Sequence, residues 1–407
     1  MKILHTADWH LGKRLDRYER IEEQRAILSE ICGIAEREEV DVVLIAGDLY
    51  DTYNPPIEAT DIFFQHLKRL SANGQRAVVA IAGNHDSPHR IEAPDPLARA
   101  CGILFSGFPD TELKPFALDS GLKVLQTAPG FVELKLPKIE APLRLLLTPY
   151  ANESRLRRCL GQQDPDAEMR RILQDHWAQL ADQYCDTLGV NLLVAHLFMI
   201  GRDEIPPDEP EDEKPINIGT ASAVYTDNVP DAIQYVALGH LHRYQNMKGG
   251  PCPCVYSSSI LEYSFAEAGQ DKYVVLIDAE PGQPVSFRSE KLRDGRGLHR
   301  ETFDDIDVAV EWLQANSEDF VELTILTDSF ITGVDRKRLV AAHKRIIGPI
   351  PCFTNPELLA ENGAVVADLS RSREALFEDY FLYRRGVSPG DEILDLFREI
   401  TGKEAEL

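Results

Sequence analysis

Three short apolar runs near the start of the chain constrain its fold more than any other feature. They cover residues 2–6, 40–46 and 77–82, and segments with apolar residues at helical spacing separate them. A continuous apolar run of this length is typical of a strand that is buried on both faces. Because such strands alternate here with amphipathic helices, the sequence predicts an α/β domain in which the strands pair in parallel.

Each of these runs leads into a polar cassette. The three cassettes are Asp8-Trp9-His10, Gly47-Asp48-Leu49-Tyr50-Asp51 and Gly83-Asn84-His85-Asp86. Two later apolar runs, residues 190–195 and 235–238, lead into His196 and into Gly239-His240-Leu241-His242. The ends of parallel strands meet at one edge of a sheet, so we expect these side chains to lie close together.

Carboxylate, amide and imidazole groups brought together in this way suit a pair of divalent metal ions. Two metal ions about 3.5–4 Å apart neutralise the charge of a phosphodiester and convert bound water into hydroxide at neutral pH. We predict that the metal ligands are Asp8, His10, Asp48, Asn84, His196, His240 and His242. Because none of them is a thiolate, the set favours Mn²⁺, Fe²⁺ or Zn²⁺ over a cysteine-bound structural metal.

A single histidine in an apolar strand is more often a packed core residue than a metal ligand. The chain has 11 histidines, and those that stand in these strand-end cassettes are His10, His85, His196, His240 and His242. The probabilities that independent motifs match by chance multiply, so a purely structural explanation of the whole set is disfavoured.

In this order, the cassettes resemble the motifs of the calcineurin-like metallophosphoesterase superfamily. Those motifs read Asp-x-His, Gly-Asp-x-x-Asp, Gly-Asn-His-Asp, a later His and Gly-His-x-His. Flanking residues such as Pro55-Pro56 and Ala237-Leu238 further resemble the nuclease subunits of bacterial SbcCD-type complexes, the counterparts of the archaeal and eukaryotic double-strand-break repair nuclease. The resemblance implies a sandwich of two central β-sheets flanked by helices, with a small α+β capping domain and a C-terminal helical tail.

The resemblance also implies a role for each residue of the site. One metal would be held by Asp8, His10, Asp48 and His242, and a second by Asp48, Asn84, His196 and His240. His85 would contact the scissile phosphate and assist the leaving oxygen, and Asp86 would orient His85 through a hydrogen bond. Asp51 stands where the archaeal and eukaryotic relatives carry a histidine that acts on the DNA end, and its own role stays open.

Charge gives a mixed indication about nucleic acid. The chain has 43 Lys and Arg residues against 67 Asp and Glu residues, a net charge of −24, which lowers the expectation of unaided DNA binding. A local basic patch or a bound metal can reverse the sign where DNA would lie. Lys13, Arg14 and Arg17 could meet DNA phosphates or form a solvated basic face, and Trp9 is interpreted as packing beneath the site.

Composition and the N-terminal sequence predict a cytoplasmic protein. No apolar run approaches the roughly 20 residues that span a bilayer, and the first strand begins too early to leave room for a signal peptide. The seven cysteines are scattered and odd in number, so no disulfide framework is expected. The one close pair, Cys252 and Cys254, is interpreted as two thiols in a strand rather than a zinc site.

We predict three parts in the chain. Residues 1–278 would form the metallophosphoesterase domain, in which a strand at 272–278 helps to complete the second sheet. A Pro- and Gly-containing stretch then precedes the capping domain at 285–368, which would begin with a strand at 285–292. Residues 372–403 would be the helical tail.

The cassettes predict two-metal phosphoester hydrolysis, and the resemblance implies a DNA nuclease, both exonuclease and endonuclease, that acts on DNA ends and hairpins with two Mn²⁺ ions, or with Mg²⁺, Fe²⁺ or Zn²⁺ as alternatives. The resemblance implies a coiled-coil ATPase of the SbcC type as a partner of the C-terminal helices. It also implies a homodimer through the helices near residues 58–72 and 95–100. Two alternatives remain: a phosphodiesterase for small molecules such as cyclic nucleotides, and a catalytically silent scaffold for DNA ends.

Overall fold

The computed structural model describes most of the chain. The described residues are 1–156, 165–202, 204, 223–328 and 331–353, with short pieces at 376–378, 380–381, 389–390, 393–394 and 397. Two compact units divide them: Met1–Arg300 with Glu318–Val321, and Glu301–Ser317 with Glu322–Leu407. Residues 354–368 of the predicted capping domain and most of the predicted tail at 372–403 lie outside the described residues. None of the described helices is long and apolar enough to cross a membrane.

Helices and strands alternate along the first unit much as the apolar pattern predicts. The helices are α1 (Ile21–Arg37), α2 (Ile57–Leu70), α3 (Pro88–Glu92), α4 (Asp95–Arg99), α5 (Glu153–Leu156), α6 (Pro165–Tyr184), α7 (Ile306–Ala315) and α8 (Gly333–Ala342). The strands are β1 (Lys2–Thr6), β2 (Arg14–Leu15), β3 (Tyr18–Glu19), β4 (Val42–Ala46), β5 (Ala77–Ile81), β6 (Ile103–Ser106), β7 (Lys123–Ala128), β8 (Phe131–Lys135), β9 (Leu143–Thr148), β10 (Val190–His196), β11 (Met199–Ile200), β12 (Val224–Tyr225), β13 (Tyr235–Gly239), β14 (Gln245–Met247), β15 (Cys254–Tyr256), β16 (Tyr273–Asp278), β17 (Ser286–Lys291), β18 (Leu298–Phe303), β19 (Phe320–Thr327) and β20 (Ile346–Phe353).

Two large sheets form the first unit. One has the strand order β17-β16-β1-β4-β5-β6, and its β1, β4, β5 and β6 pair in parallel. The other has the order β14-β15-β13-β10-β9-β8-β7, with β15, β13, β10 and β9 parallel at its centre. The predicted parallel α/β arrangement is confirmed, and antiparallel strands extend each sheet at its edges.

The core lies in three layers around the two sheets. Side chains such as Leu44 and Val79 of the first sheet pack with Leu145 and Val194 of the second between the sheets. The outer face of the first sheet packs on α1 and α2, and that of the second packs on α6 around Trp177. Because both faces of the central strands are covered, β4, β5 and β10 are buried at every residue. This burial explains why their sequences show no alternation.

Two predicted features near the end of the first unit are wrong. The strand predicted at 272–278 is β16, which joins the first sheet by pairing antiparallel with β1, so that Ile3 lies opposite Ile277. The strand predicted at 285–292 is β17, which pairs with β16 rather than opening a new domain. The first unit therefore extends to Arg300, because these two strands cover the edge that β1 would otherwise expose.

The described part of the second unit is a small α+β fold. Its sheet has the order β18-β19-β20, and α7 and α8 accompany it. Asp305 caps α7 by accepting hydrogen bonds from the backbone N–H groups of Asp307 and Val308, and Thr332 caps α8 in the same way.

Candidate metal centre

The polar cassettes lie where the strands end, and backbone hydrogen bonds join them. The Asp8 N–H donates to the carbonyl of Gly47 (3.0 Å), and the His10 N–H donates to that of Asp48 (2.9 Å). Strands β10 and β13 pair side by side, so that His196 lies opposite Gly239 at their ends. The two sheets thus deliver all the predicted ligand cassettes to one place.

The backbone of the site is strained at four of the predicted ligands. Asp8 (φ 53°), His10 (φ 43°), Asp48 (φ 48°) and His240 (φ 105°) have the positive φ angles that residues other than glycine seldom adopt. Such conformations cost free energy and persist only where the surrounding structure enforces them, and they cluster at functional sites. The fold therefore holds these side chains in one particular orientation.

Glycines beside the ligands allow the chain segments to approach closely. A Cβ atom on Gly47, whose φ is +93°, would collide with the imidazole of His196. A Cβ atom on Gly83 would collide with the carboxylate of Asp48, and one on Gly239 with the carbonyl of Ala46. The absence of a side chain at these three glycines thus makes room for the ligands.

Asp48 lies between two groups of side chains. Its Oδ2 atom is 3.5 Å from Nε2 of His10 and 3.5 Å from Nε2 of His196. On one side, His10 Nε2 is 3.0 Å from Nε2 of His242. On the other side, Asn84 Oδ1 is 2.9 Å from His196 Nε2. One carboxylate oxygen shared by two such groups is the geometry of a bridging ligand.

The remaining predicted ligands join the same two groups. Asn84 Oδ1 is 3.1 Å from His240 Nδ1. The carboxylate of Asp8 accepts hydrogen bonds from the backbone N–H of His240, and its Oδ1 lies 3.8 Å from Nδ1 of His196. Ligand atoms of Asp8, His10 and His242 lie within 4.8 Å of one another. The structure thus brings all the predicted ligands together.

Burial and the attraction between carboxylates and imidazoles together determine the pKa values in this cluster. Burial raises the pKa of the Asp8 carboxyl to about 6, although the nearby His196 acts in the opposite direction. Burial acts to raise the pKa of Asp48 as well, but attraction to His196 and His10 outweighs it and holds that pKa well below its ordinary value. For His196, burial is exceeded by attraction to Asp48, which raises the pKa to about 9. Burial lowers the pKa of His240 to about 3.

The residues present fit a centre of divalent cations. Asp8 and Asp48 are 0% and 2% exposed, and a buried carboxylate is unfavourable without a compensating positive charge. Oxygen and imidazole donors that converge on both sides of one carboxylate suit divalent cations of the Mn²⁺, Fe²⁺ or Zn²⁺ type.

His85 lies beside the cluster, but its partner is not the predicted one. Its Nδ1 donates to the backbone carbonyl of Asp51 (2.8 Å), and its backbone N–H donates to Asp48 Oδ1 (2.9 Å). Its ring lies edge-on to that of His10, with 4.8 Å between the ring centroids. The prediction that Asp86 orients the His85 ring by a direct hydrogen bond is therefore wrong.

Asp86 instead ties two cassettes together. Its buried carboxylate accepts hydrogen bonds from the backbone N–H groups of Leu49 (3.0 Å), Tyr50 (2.9 Å) and Gly83 (2.8 Å). Burial and the nearby charge of Asp48 raise its pKa to about 7 against the effect of these donors. Asp86 therefore fixes the loop that carries Asn84 and His85 without contacting the His85 ring.

Sequence reasoning missed Arg155, which supports the same loop from the other side. This arginine is only 4% exposed, and its guanidinium donates to the carbonyls of Gly83 (2.7 Å) and Asp86 (2.8 Å). It also lies over the ring of Tyr150, with its Cζ atom 5.1 Å from the ring centroid. No cassette surrounds Arg155, and the sequence carries no signal that distinguishes it from a surface arginine.

Trp9 and the basic residues that follow the first cassette differ in their exposure. Trp9 is fully buried and packs against Phe63, which confirms that it lies beneath the site. Lys13 is half-buried, with its Nζ atom 3.6 Å from Asp51 Oδ1. Arg17 is exposed on the turn between β2 and β3 and stacks on the ring of its neighbour Tyr18.

Comparison with known proteins identifies the family. Residues 1–244 match the family described as calcineurin-like phosphoesterase. The chain belongs to this family. Its fold class and its nature as a metal-dependent hydrolase of phosphate esters, both predicted from the sequence, are thereby confirmed.

Curated relatives within this calcineurin-like family extend beyond the matched domain. The SbcD component of the nuclease SbcCD from Bacillus subtilis (strain 168) is 32% identical over 422 residues, which cover 100% of this chain and 99% of that protein. The protein of the same name from Rhodobacter capsulatus is 34% identical over 288 residues, which cover 69% of this chain and 67% of that protein. That from Staphylococcus epidermidis is 28% identical over 82% of this chain and 80% of that protein.

Proposed function

We propose that this chain is the nuclease subunit of an SbcCD-type complex. It would be a two-metal-dependent DNA nuclease, with double-strand exonuclease activity and single-strand or hairpin endonuclease activity. With an SbcC-type ATPase, it would act in DNA end processing, replication and recombination. We place this activity in the cytoplasm. The full-length similarity to the Bacillus subtilis nuclease component supports this proposal.

One observation carries the chemical part of the proposal. Asp48 Oδ2 lies at the same distance, 3.5 Å, from Nε2 of His10 and Nε2 of His196. We propose that Asp48 bridges two metal ions, one held with Asp8, His10 and His242 and the other with Asn84, His196 and His240. The bound pair would neutralise the charge of the phosphodiester and supply an activated water. We favour Mn²⁺ for both positions because every ligand is an oxygen or an imidazole.

His85 is our candidate for the proton-transferring residue. Its Nδ1 is occupied by the carbonyl of Asp51, so Nε2 is the atom that can meet a substrate oxygen. A protonated Nε2 can donate a hydrogen bond to the scissile phosphate and then a proton to the leaving oxygen. Asp86 and Arg155 act on this step indirectly, since they hold the backbone of the loop that carries His85.

The partners that we propose follow from the same family of nucleases. DNA ends and hairpins are the substrates, and the exposed Arg17 lies on a hairpin that follows the first cassette, where a phosphate backbone could approach. We assign the second unit to positioning DNA, the C-terminal helices to binding the coiled-coil ATPase, and α2 and α4 to a homodimer interface.

The test compares substrates on the metal-loaded full chain. Linear duplex DNA and hairpin DNA are assayed beside a nucleotide diester, with His85→Asn as the matched variant. We expect cleavage of both DNAs by the wild type and none by the variant, while both proteins bind two metal ions. Activity on the nucleotide diester alone would indicate a small-molecule phosphodiesterase. Binding of DNA ends without any hydrolysis would indicate a silent scaffold.

A further inference from the structure

The two groups of ligands differ in what lies behind their histidines. In the group of His10 and His242, the Nδ1 atom of His242 lies 3.0 Å from the Oε1 atom of Glu267. In the other group, Nδ1 of His196 donates to the backbone carbonyl of Ala46 at 2.8 Å. A carboxylate at hydrogen-bond distance thus lies behind one imidazole, and a backbone carbonyl lies behind the other, whose nearest carboxylate contact at Nδ1 is Asp8 at 3.8 Å.

Glu267 is held rigidly for this contact. It ends the short 3-10 turn Phe265–Glu267 and is only 2% exposed. Its Oε2 atom accepts hydrogen bonds from Ser259 Oγ (3.2 Å) and from the ammonium group of Lys272. Lys272 is 6% exposed, and its Nζ also donates to Ser259 Oγ and to the carbonyl of His242, both at 2.9 Å.

These contacts determine the state of the His242 ring. A carboxylate only accepts, so Nδ1 carries the proton and the lone pair of Nε2 points toward His10 and the candidate metal position. A carboxylate behind a ligating histidine also makes the imidazole a stronger donor. The carbonyl behind His196 fixes that ring equally well but adds only a partial charge.

His10 and His240 do not add to this difference. The Nδ1 atom of His10 lies 3.8 Å from Oδ1 of Asp51, and in the other group Nδ1 of His196 lies at the same distance from Oδ1 of Asp8. His240 has its Nδ1 beside Asn84. The contact that distinguishes the two groups is therefore the 3.0 Å contact between Glu267 and His242.

We propose that Glu267, held by Lys272, is a positioning residue that makes the site of Asp8, His10, Asp48 and His242 the tighter of the two metal sites. This inference rests on the proposed two-metal centre. It predicts that the two ions bind in sequence, with the ion at the His242 site first.

Metal binding tests the inference independently of catalysis. Mn²⁺ is titrated into the metal-free full chain, and the heat of binding and the bound metal are measured for the wild type and for Glu267→Gln. We expect two separable steps in the wild type. In the variant, the tighter step should weaken about 10- to 100-fold, as is usual for loss of a partner behind a metal-binding histidine, while the weaker step keeps its affinity. Asp271→Asn, which removes an exposed carboxylate next to Lys272 in the sequence, is the control and should leave both steps unchanged.

A double variant separates positioning from mere support of the fold. Glu267→Gln leaves Lys272 buried without its counter-charge, so it should lower the melting temperature of the metal-free protein. Glu267→Gln combined with Lys272→Met should recover that melting temperature while the tighter step stays weak. Recovery of both properties would show that the pair is only structural and would overturn the inference.

The remaining outcomes distinguish the inference from the function on which it rests. A wild type that binds two Mn²⁺ ions beside a Glu267→Gln variant that binds both with unchanged affinity would overturn the inference alone. A wild type that binds fewer than two Mn²⁺ ions would overturn the proposed function and the inference together.

Discussion

Replacement of Arg155 should disable the site without touching a single metal ligand. Its guanidinium donates to the carbonyls of Gly83 and Asp86, on either side of Asn84 and His85. Arg155→Met keeps an unbranched apolar side chain at this position and removes both hydrogen bonds. A buried hydrogen bond to a charged group contributes about 1.5–3 kcal/mol, so the two together stabilise the loop by about 3–6 kcal/mol.

That loss is large enough to let the loop leave its present position. Displacement of a catalytic group by about 1 Å can reduce the rate about 100-fold, and we expect a fall in kcat of that order. Arg155→Lys restores the positive charge but not the planar fork of donors of a guanidinium, so it should recover part of the lost activity. The assay measures kcat on a phosphodiester together with unfolding in urea.

Arg90→Met is the matched control for this experiment. Arg90 is exposed and donates to Asn54 Oδ1 at 3.0 Å, although it too lies just after the third cassette. Removing such a surface contact should change the stability by less than about 0.5 kcal/mol and leave kcat unchanged. If Arg155→Met kept the stability and kcat of the wild type, the claim that Arg155 holds the loop would be refuted.

Three further predictions test other parts of the site and the core. Gly47→Ala should abolish phosphodiester hydrolysis and metal binding by His196, because the new Cβ atom would collide with the His196 ring. The control Gly333→Ala, at a position with open space around it, should retain both properties. Hydrolysis is assayed on a phosphodiester, and metal binding is measured by titration with Mn²⁺. Burial lowers the pKa of His5 to about 3, so between about pH 3 and 6.5 the unfolded state binds more protons and the free energy of unfolding decreases as the pH falls. In urea unfolding across this window, the free energy of unfolding of His5→Gln should change less steeply with pH than that of the wild type. An equal pH dependence in the two proteins would contradict this assignment. Chelation with EDTA should lower the melting temperature, because Asp8 and Asp48 lose the positive charge that compensates their burial, and Mn²⁺ should restore it; a melting temperature indifferent to both would count against a metal centre.

The parallel part of the fold could be predicted because each central strand carries its own signal. A strand such as β4 is buried at every residue, and its continuous apolar sequence shows this directly. The antiparallel pairing of β16 with β1 could not be predicted in the same way. It places Ile3 opposite Ile277, and nothing in either segment specifies a partner so distant in the sequence. Local patterns identify strands, but the order of strands depends on which edge remains open once the rest has packed.

The same reasoning explains which parts of the site the sequence could specify. The identity of a ligand depends on the chemistry of its own side chain, and the motifs reveal that chemistry directly. The orientation of a ligand depends on a partner that the fold supplies. His85 and Asp86 are neighbours in the sequence, yet the ring of His85 bonds to the carbonyl of Asp51 and the carboxylate of Asp86 bonds to the backbone of Leu49 and Tyr50.

Glu267 shows how far this distinction extends. In the sequence it is one glutamate among many, outside every cassette, and 25 residues separate it from His242. It meets His242 only because the chain after β15 returns toward the metal cluster and ends its 3-10 turn beside that ring. The motif specifies which side chains can serve as ligands, whereas we propose that the relative strength of the two metal sites follows from the carboxylate that the fold places behind His242. On this proposal, two chains with identical cassettes would bind their metals in opposite order if that carboxylate lay behind His196 instead.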